Sequence, residues 1–176
     1  MTSLGNYASA SVLECNTMIA KNYTPQNILT PVYGIFDLSQ NVPTGGGSLL
    51  ILNNIKERSS SLVKGITITN GDSFNVSQAG IYKVEVLLEG RAGSGNIIQT
   101  RSRVVLGAGL VVQRGGHDFQ SSPTNISVRS MYYTAVFEIT DPTTQNIQIQ
   151  VQGAVTGGGS MNWIATESQI FIEKLV

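Results

Sequence analysis

Between Gly65 and Gly90 the chain runs GITITNGDSFNVSQAGIYKVEVLLEG, and no other stretch restricts the fold as much. Gly71 follows Asn70 and supplies the positive φ that a tight hairpin turn needs; Gly80 offers the same freedom before the next strand. From Tyr82 onward the residues alternate. Tyr82, Val84, Val86 and Leu88 fall on one face, and Lys83, Glu85, Leu87 and Glu89 fall on the other. Period two sustained this long is the pattern of a strand with one buried face. Tyr82, Val84, Val86 and Leu88 are therefore expected in core or oligomer packing.

The same punctuation continues along the chain. Tyr7 to Leu13 reads as an outer or edge strand and Lys21 to Thr30, with Pro25, as a loop, so 1–30 is expected to be a peripheral strand and loop. Val32 to Phe36 is a strand candidate. Leu49 to Leu52 looks like a buried run, and Lys56 to Ser61 like a solvated loop. Ile97 to Val112 reads as a strand pair broken near Gly107 and Gly109, and Arg114 to Asn125 as the longest polar loop. In the strand expected at Ile126 to Thr140, Tyr133, Ala135, Phe137 and Ile139 share a face, which adds Phe137 to the packing set. Asp141-Pro142 marks a turn. Ile147, Ile149 and Val151 then alternate with Gln148, Gln150 and Gln152, and the chain closes on Ile170 to Val176. The two TGGGS segments, at 44–48 and 156–160, read as loops. About eight to ten strands separated by Gly, Pro, Asn and Ser turns predict an all-β, antiparallel sandwich or barrel in one domain, 1–176.

Composition narrows the partners. Acidic and basic residues number 11 each and together make 12% of the chain, about half the usual share. A neutral surface rich in amides and hydroxyls does not suit a partner held by phosphate charge, and no Lys or Arg precedes Lys21, so nucleic acid is not expected. The opening MTSLGNYASASVLE lacks a charged and an apolar leader region, so no secretory signal is expected. No apolar run approaches the ~18 residues of a membrane span. Cys15, the single cysteine, is expected to serve as a small apolar side chain. The three Asn-x-Ser/Thr sequons, at Asn22, Asn75 and Asn125, are expected from composition alone.

Phe74-Asn75-Val76-Ser77-Gln78-Ala79-Gly80-Ile81-Tyr82, followed by Val84, Val86 and Leu88, resembles the central motif of the tumour necrosis factor and complement globular-head superfamily. There a G-x-Y segment enters the long central strand of a jelly roll. Ser168 to Leu175 looks like the family's last strand, which carries a Phe or Tyr near a trimer axis; the matching residue is Phe171. The resemblance implies a jelly-roll sandwich and a compact homotrimer whose subunits pack sheet edges against a neighbour's inner face. Unlike the human-type members, this chain is expected to have no leader, anchor or Gly-X-Y stem. The closer likeness is to anchorless versions on virus, phage and bacterial-spore surfaces.

Chemistry-bearing residues are sparse. His117, the one histidine, sits in Arg114-Gly115-Gly116-His117-Asp118. A metal site or a catalytic dyad needs more convergent groups than that. No G-x-S-x-G elbow accompanies it, and the Gly-rich turns lack a phosphate-loop lysine. No catalytic, cofactor or metal residue is expected. Arg114, His117, Asp118 and Trp163 form a candidate ligand loop, with Trp163 expected open after its Gly loop and able to stack on a sugar. Arg101 and Arg103 would share a strand face, serving either surface ion pairs or capture of a sugar or phosphate. Tyr33, Tyr132 and Tyr133 suit core or interface packing. The expected function is a non-enzymatic structural or interaction protein: a trimer on a virion or similar extracellular surface assembly (capsid, spike or minor capsid protein), made in the cytosol and packed against other coat or surface proteins. A single-jelly-roll shell subunit fits less well without a basic arm. The alternative is a lectin-like module attaching to a glycan receptor.

Overall fold

Asn70 and Gly71 take φ of 55° and 72°, and the turn they make is one of many that fold the chain into two antiparallel sheets. The computed structural model describes residues 31–45, 48–107, 109–118 and 127–176; the expected strand and loop at 1–30, with Cys15, lie outside them. Val32–Val176 form one compact unit. One sheet contains β1 (Tyr33–Leu38), β2 (Val42–Thr44), β4 (Ile55–Glu57), β5 (Val63–Lys64), β8 (Gly80–Ala92), β11 (Val128–Ile139), β13 (Met161–Trp163) and β14 (Gln169–Lys174). The other contains β3 (Leu50–Ile51), β6 (Ile66–Thr69), β7 (Ser73–Val76), β9 (Ile97–Leu106), β10 (Leu110–Asp118) and β12 (Ile147–Val155). The strands exceed the eight to ten expected because five of them, β2, β3, β4, β5 and β13, are pieces of two or three residues.

β8 organises the first sheet. Along one side it pairs with β11 from Gly80 to Arg91, and along the other with β14 at Tyr82–Leu87 and β13 at Gly90–Ala92. Its inward row of Tyr82, Val84, Val86 and Leu88 is fully buried, as are Val104, Ile147, Ile149 and Val151 on the opposing sheet. Side chains interdigitating between two inner faces are what holds such a sandwich together. Phe36 and Phe74 meet edge to face at 4.7 Å between ring centroids. Phe137 and Tyr133 continue the core from β11. The Met161 side chain fits against Gly90 and Gly153, where a Cβ on Gly90 would stand 2.6 Å from its terminal methyl.

Three sequence expectations are corrected. Of Leu49–Leu52 only Leu52 is buried; Leu49, Leu50 and Ile51 are exposed, because β3 is a two-residue strand on β12 too short to alternate between a covered and an open face. Lys56 and Glu57 are ladder residues, opposite Asp37 and Phe36. Arg114 to Asp118 belong to β10, whose pairing with β9 runs on to Asp118 opposite Gln99. Gly115, which suggested a loop, serves packing instead: a Cβ there would stand 2.6 Å from Cδ1 of Tyr133.

Two buried hydroxyls stitch the interior. Tyr82 donates to the Gln78 carbonyl at 2.6 Å, and Tyr133 and Ser102 share a hydrogen bond of 2.6 Å between the sheets. Burial pushes the Tyr82 hydroxyl up to about 12 and holds that of Tyr133 above its ordinary value of 10.0 as well. A raised folded-state value means the unfolded chain gives up these protons first. Stability is therefore complete below pH 10 and declines as pH rises from there toward 12. Denaturant titrations across that range should show the decline, and Tyr133→Phe should make it shallower. At neutral pH the same variant strands the Ser102 hydroxyl and should cost about 1–3 kcal/mol. An unchanged midpoint would contradict the buried Tyr133–Ser102 bond.

Candidate subunit interface

The residues that alternate with the buried row of β8 point away from the core, and the register extends them into a patterned outer face. Tyr132, Leu87, Gln169 and Asp37 form one row across β11, β8, β14 and β1; Thr134, Glu85, Phe171 and Ile35 form the next; Val136, Lys83, Glu173 and Tyr33 form a third. Tyr132 is 66% exposed and Val136 58%, while Leu87 and Ile81 are each 39% exposed. Ile35 and Phe171 are half-buried. Exposed apolar side chains gathered on one face of a folded chain mark an interaction site.

A small ionic cluster sits within this face. Lys83 Nζ lies 3.0 Å from Glu85 Oε1, 2.7 Å from Glu173 Oε1 and 5.7 Å from the centre of the Phe171 ring. Hydrogen bonds to Glu173 and then Glu85 hold the Lys83 ammonium above its ordinary value. Surface pairs of this kind add little stability; here they tie Lys83, beside the Phe171 ring, to two carboxylates. Arg58 grips Asp37 through Nε and Nη2, the closest contact being 2.7 Å. At the far end the last residues extend the ladder, with Leu175 N donating to Ile81 O and Ile81 N to Val176 O. Among the described strands, β11 and β10 each lie at one edge of their sheet, with one ladder partner apiece.

The sequence candidates divide clearly. Tyr82, Val84, Val86, Leu88 and Phe137 face the core, and Phe171 faces outward. Arg114 is exposed on β10 opposite Arg103, and His117 and Asp118 occupy register positions opposite Thr100 and Gln99. Trp163 corrects the ligand-loop expectation, because it is fully buried. β13 begins directly after the Gly loop, pairing Trp163 with Gly90 and Val42, so the indole turns inward. Its Nε1 has no hydrogen-bond partner among the described residues. Arg114 and Trp163 thus stand on different sheets and form no common loop. No group of three or more His, Cys, Asp or Glu among the described residues could hold a metal.

Leu87, Tyr132 and Val136 were not singled out as an exposed row by the sequence reading. A signal was present: each is apolar at the parity that its strand fills mostly with charged or hydroxyl residues.

Two antiparallel sheets packed face to face, with a long central strand flanked by the outer strand and the last strand, define a jelly-roll sandwich. Among solved structures the chain is similar to Eiger TNF from S. frugiperda, at 13% identity over 83% of this chain and 93% of that one, with a TM-score of 0.64. It is similar also to murine APRIL at pH 5.0, at 13% identity over 83% of this chain and 100% of that one (TM-score 0.58), and at pH 8.5, at 14% identity over 81% and 99% (TM-score 0.54). The fold is the tumour necrosis factor-like jelly roll. No protein-family model matches the chain, and no curated protein does.

The two faces of the first sheet predict opposite outcomes for one kind of change. Tyr82→Asp places an unpaired carboxylate in the core, a cost of several kcal/mol that should abolish cooperative folding. Phe171→Asp should keep the wild-type far-ultraviolet circular dichroism spectrum, since its side chain faces outward. A Phe171→Asp protein without strand signal would refute that placement.

Proposed function

We propose that the protein is a non-enzymatic interaction subunit that assembles as a homotrimer through the outward face of the β8 sheet. The trimer would be displayed on a virion or comparable extracellular surface assembly, against other coat or surface proteins. The observation that carries the trimer is the set of exposed apolar side chains Tyr132, Leu87, Val136 and Ile81 on the face that Phe171 and Ile35 share, left uncovered by the described residues. Laying the β10–β11 edge of one copy on this face of the next makes a head-to-tail contact, which closes into a ring when the rotation is three-fold. Closure also shelters the outer strands β10 and β11 from uncontrolled pairing. The low-charge, amide-rich remainder of the surface suits extended contact through hydrogen bonds with neighbouring proteins. The absence of an enzymatic role follows the sequence reading, in which no acid, base and nucleophile converge.

A second reading, attachment to a glycan, is favoured by the arginine-bearing face of the other sheet rather than by Trp163.

Light scattering after size exclusion tests the trimer. The wild-type protein should have a mass near three times 18.8 kDa, and Tyr132→Asp/Val136→Asp should run as a folded monomer. A monomeric wild type at micromolar concentration would overturn the reading.

A further inference from the structure

We propose that the outward face of β9, β10 and β12 binds an anionic saccharide, one bearing sulfate or carboxylate groups. Arg103 and Arg114 are direct cross-strand partners. Arg101 lies two residues from Arg103 on the same face, about 7 Å along the strand. These are three of the chain's six arginines, gathered on a sheet whose strands carry no lysine and, as their one acidic residue, Asp118 at the end of β10. The β8 sheet, by contrast, mixes Lys, Arg, Asp and Glu throughout.

Like charges directly opposite one another destabilise a strand pair. An anion bridging Arg103 and Arg114 removes that cost. Guanidinium is the side chain whose planar fork matches carboxylate and sulfate oxygens in pairs. Arg103 is already oriented: its Nε donates to Gln150 Oε1 at 2.7 Å, using one of the group's five N–H donors. Beside the arginines, β12 places Gln150 opposite Arg103 and Gln148 opposite Val105, while Gln152, opposite Arg101, is buried. Gln148 and Gln150 are half-exposed. An amide both donates and accepts, which is what sugar hydroxyls require alongside a charged substituent. A nucleic acid fits this face less well. Single strands are held by aromatic platforms as well as charge, and Phe74, the only Phe, Tyr or Trp on these strands, is fully buried.

This face lies on the sheet opposite the uncovered apolar face, and of its strands only β10, with Arg114, also borders the proposed subunit contact, so light scattering of each variant separates loss of sugar binding from loss of the trimer. The test is calorimetric titration of the intact protein with four probes of similar length: a sulfated dextran oligosaccharide, an oligogalacturonate, a neutral dextran oligosaccharide and an oligothymidylate. Binding of the sulfated or the carboxylated sugar is expected, and which of them binds tighter identifies the substituent. The neutral sugar should not bind, and affinity should fall with salt at a log–log slope of roughly −2 to −3 for three arginine contacts. Arg103→Gln/Arg114→Gln should weaken binding at least about tenfold, Arg103→Lys/Arg114→Lys less, because charge survives while the fork is lost. Lys56→Gln/Lys64→Gln, on the other sheet, should bind as wild type. Circular dichroism of each variant verifies its fold, and Arg114→Gln alone, at an exposed edge position, serves if the double change unfolds the protein. No binding of either acidic sugar, equal loss in the lysine variant, or tighter binding of the oligothymidylate would each overturn the proposal.

Discussion

The alternation of β8 is the constraint on which the molecule depends. One parity buries Tyr82, Val84, Val86 and Leu88 against the facing sheet, and that burial fixes the register of every strand beside it. A slip of one residue would turn the whole row to solvent. The entry to β8 is equally restricted. Gly80 has φ of 147°, and a Cβ there would collide with the Val176 carbonyl and the Lys174 side chain. The start of the central strand and the last residues of the chain are thus packed together at a position that only glycine fills.

Once β8 is set, its other parity follows without further choice. Lys83, Glu85 and Glu173 must lie around Phe171, and Leu87 must lie beside Tyr132, because the pairings place them there. The two outer faces of the sandwich then differ in chemistry. One carries apolar side chains with a compensated ionic cluster and suits contact with another copy. The other carries arginines and glutamines and suits a polar ligand. A subunit assembled through the first and the β10–β11 edge leaves β9 and β12 of the second free.

The parts of this arrangement that were legible in the sequence are those where periodicity alone decides burial. β8, β12 and the second half of β11 show their inward rows as plain alternation, and the G-x-Y entry to β8 pointed to the jelly roll. The parts that were not legible depend on contacts distant in sequence. Leu49 to Ile51 reads like a core run, but β3 is a two-residue piece on β12 and of the run only Leu52 is covered by the core. Gly115 and Gly116 read like a loop, but the Tyr133 ring needs the space beside Gly115. Trp163 follows a Gly-rich loop and invites a surface role, but its pairing with Gly90 turns it inward. The adjacency of Arg103 and Arg114 depends on the β9–β10 register, which includes a bulge between Val111 and Gln113 and so cannot be counted from the turn.

The central claim is that the exposed row beside β8 is covered by another copy of the chain. Hydroxyl-radical footprinting of the tyrosines, read by peptide mass spectrometry across a dilution series, tests it most directly. Tyr133, 9% exposed, serves as the internal buried reference, and Tyr132, 66% exposed in the protomer, as the reporter. The account predicts that Tyr132 is protected nearly as well as Tyr133 at high concentration and becomes reactive on dilution or in Phe171→Asp. Full reactivity of Tyr132 at every concentration would contradict it.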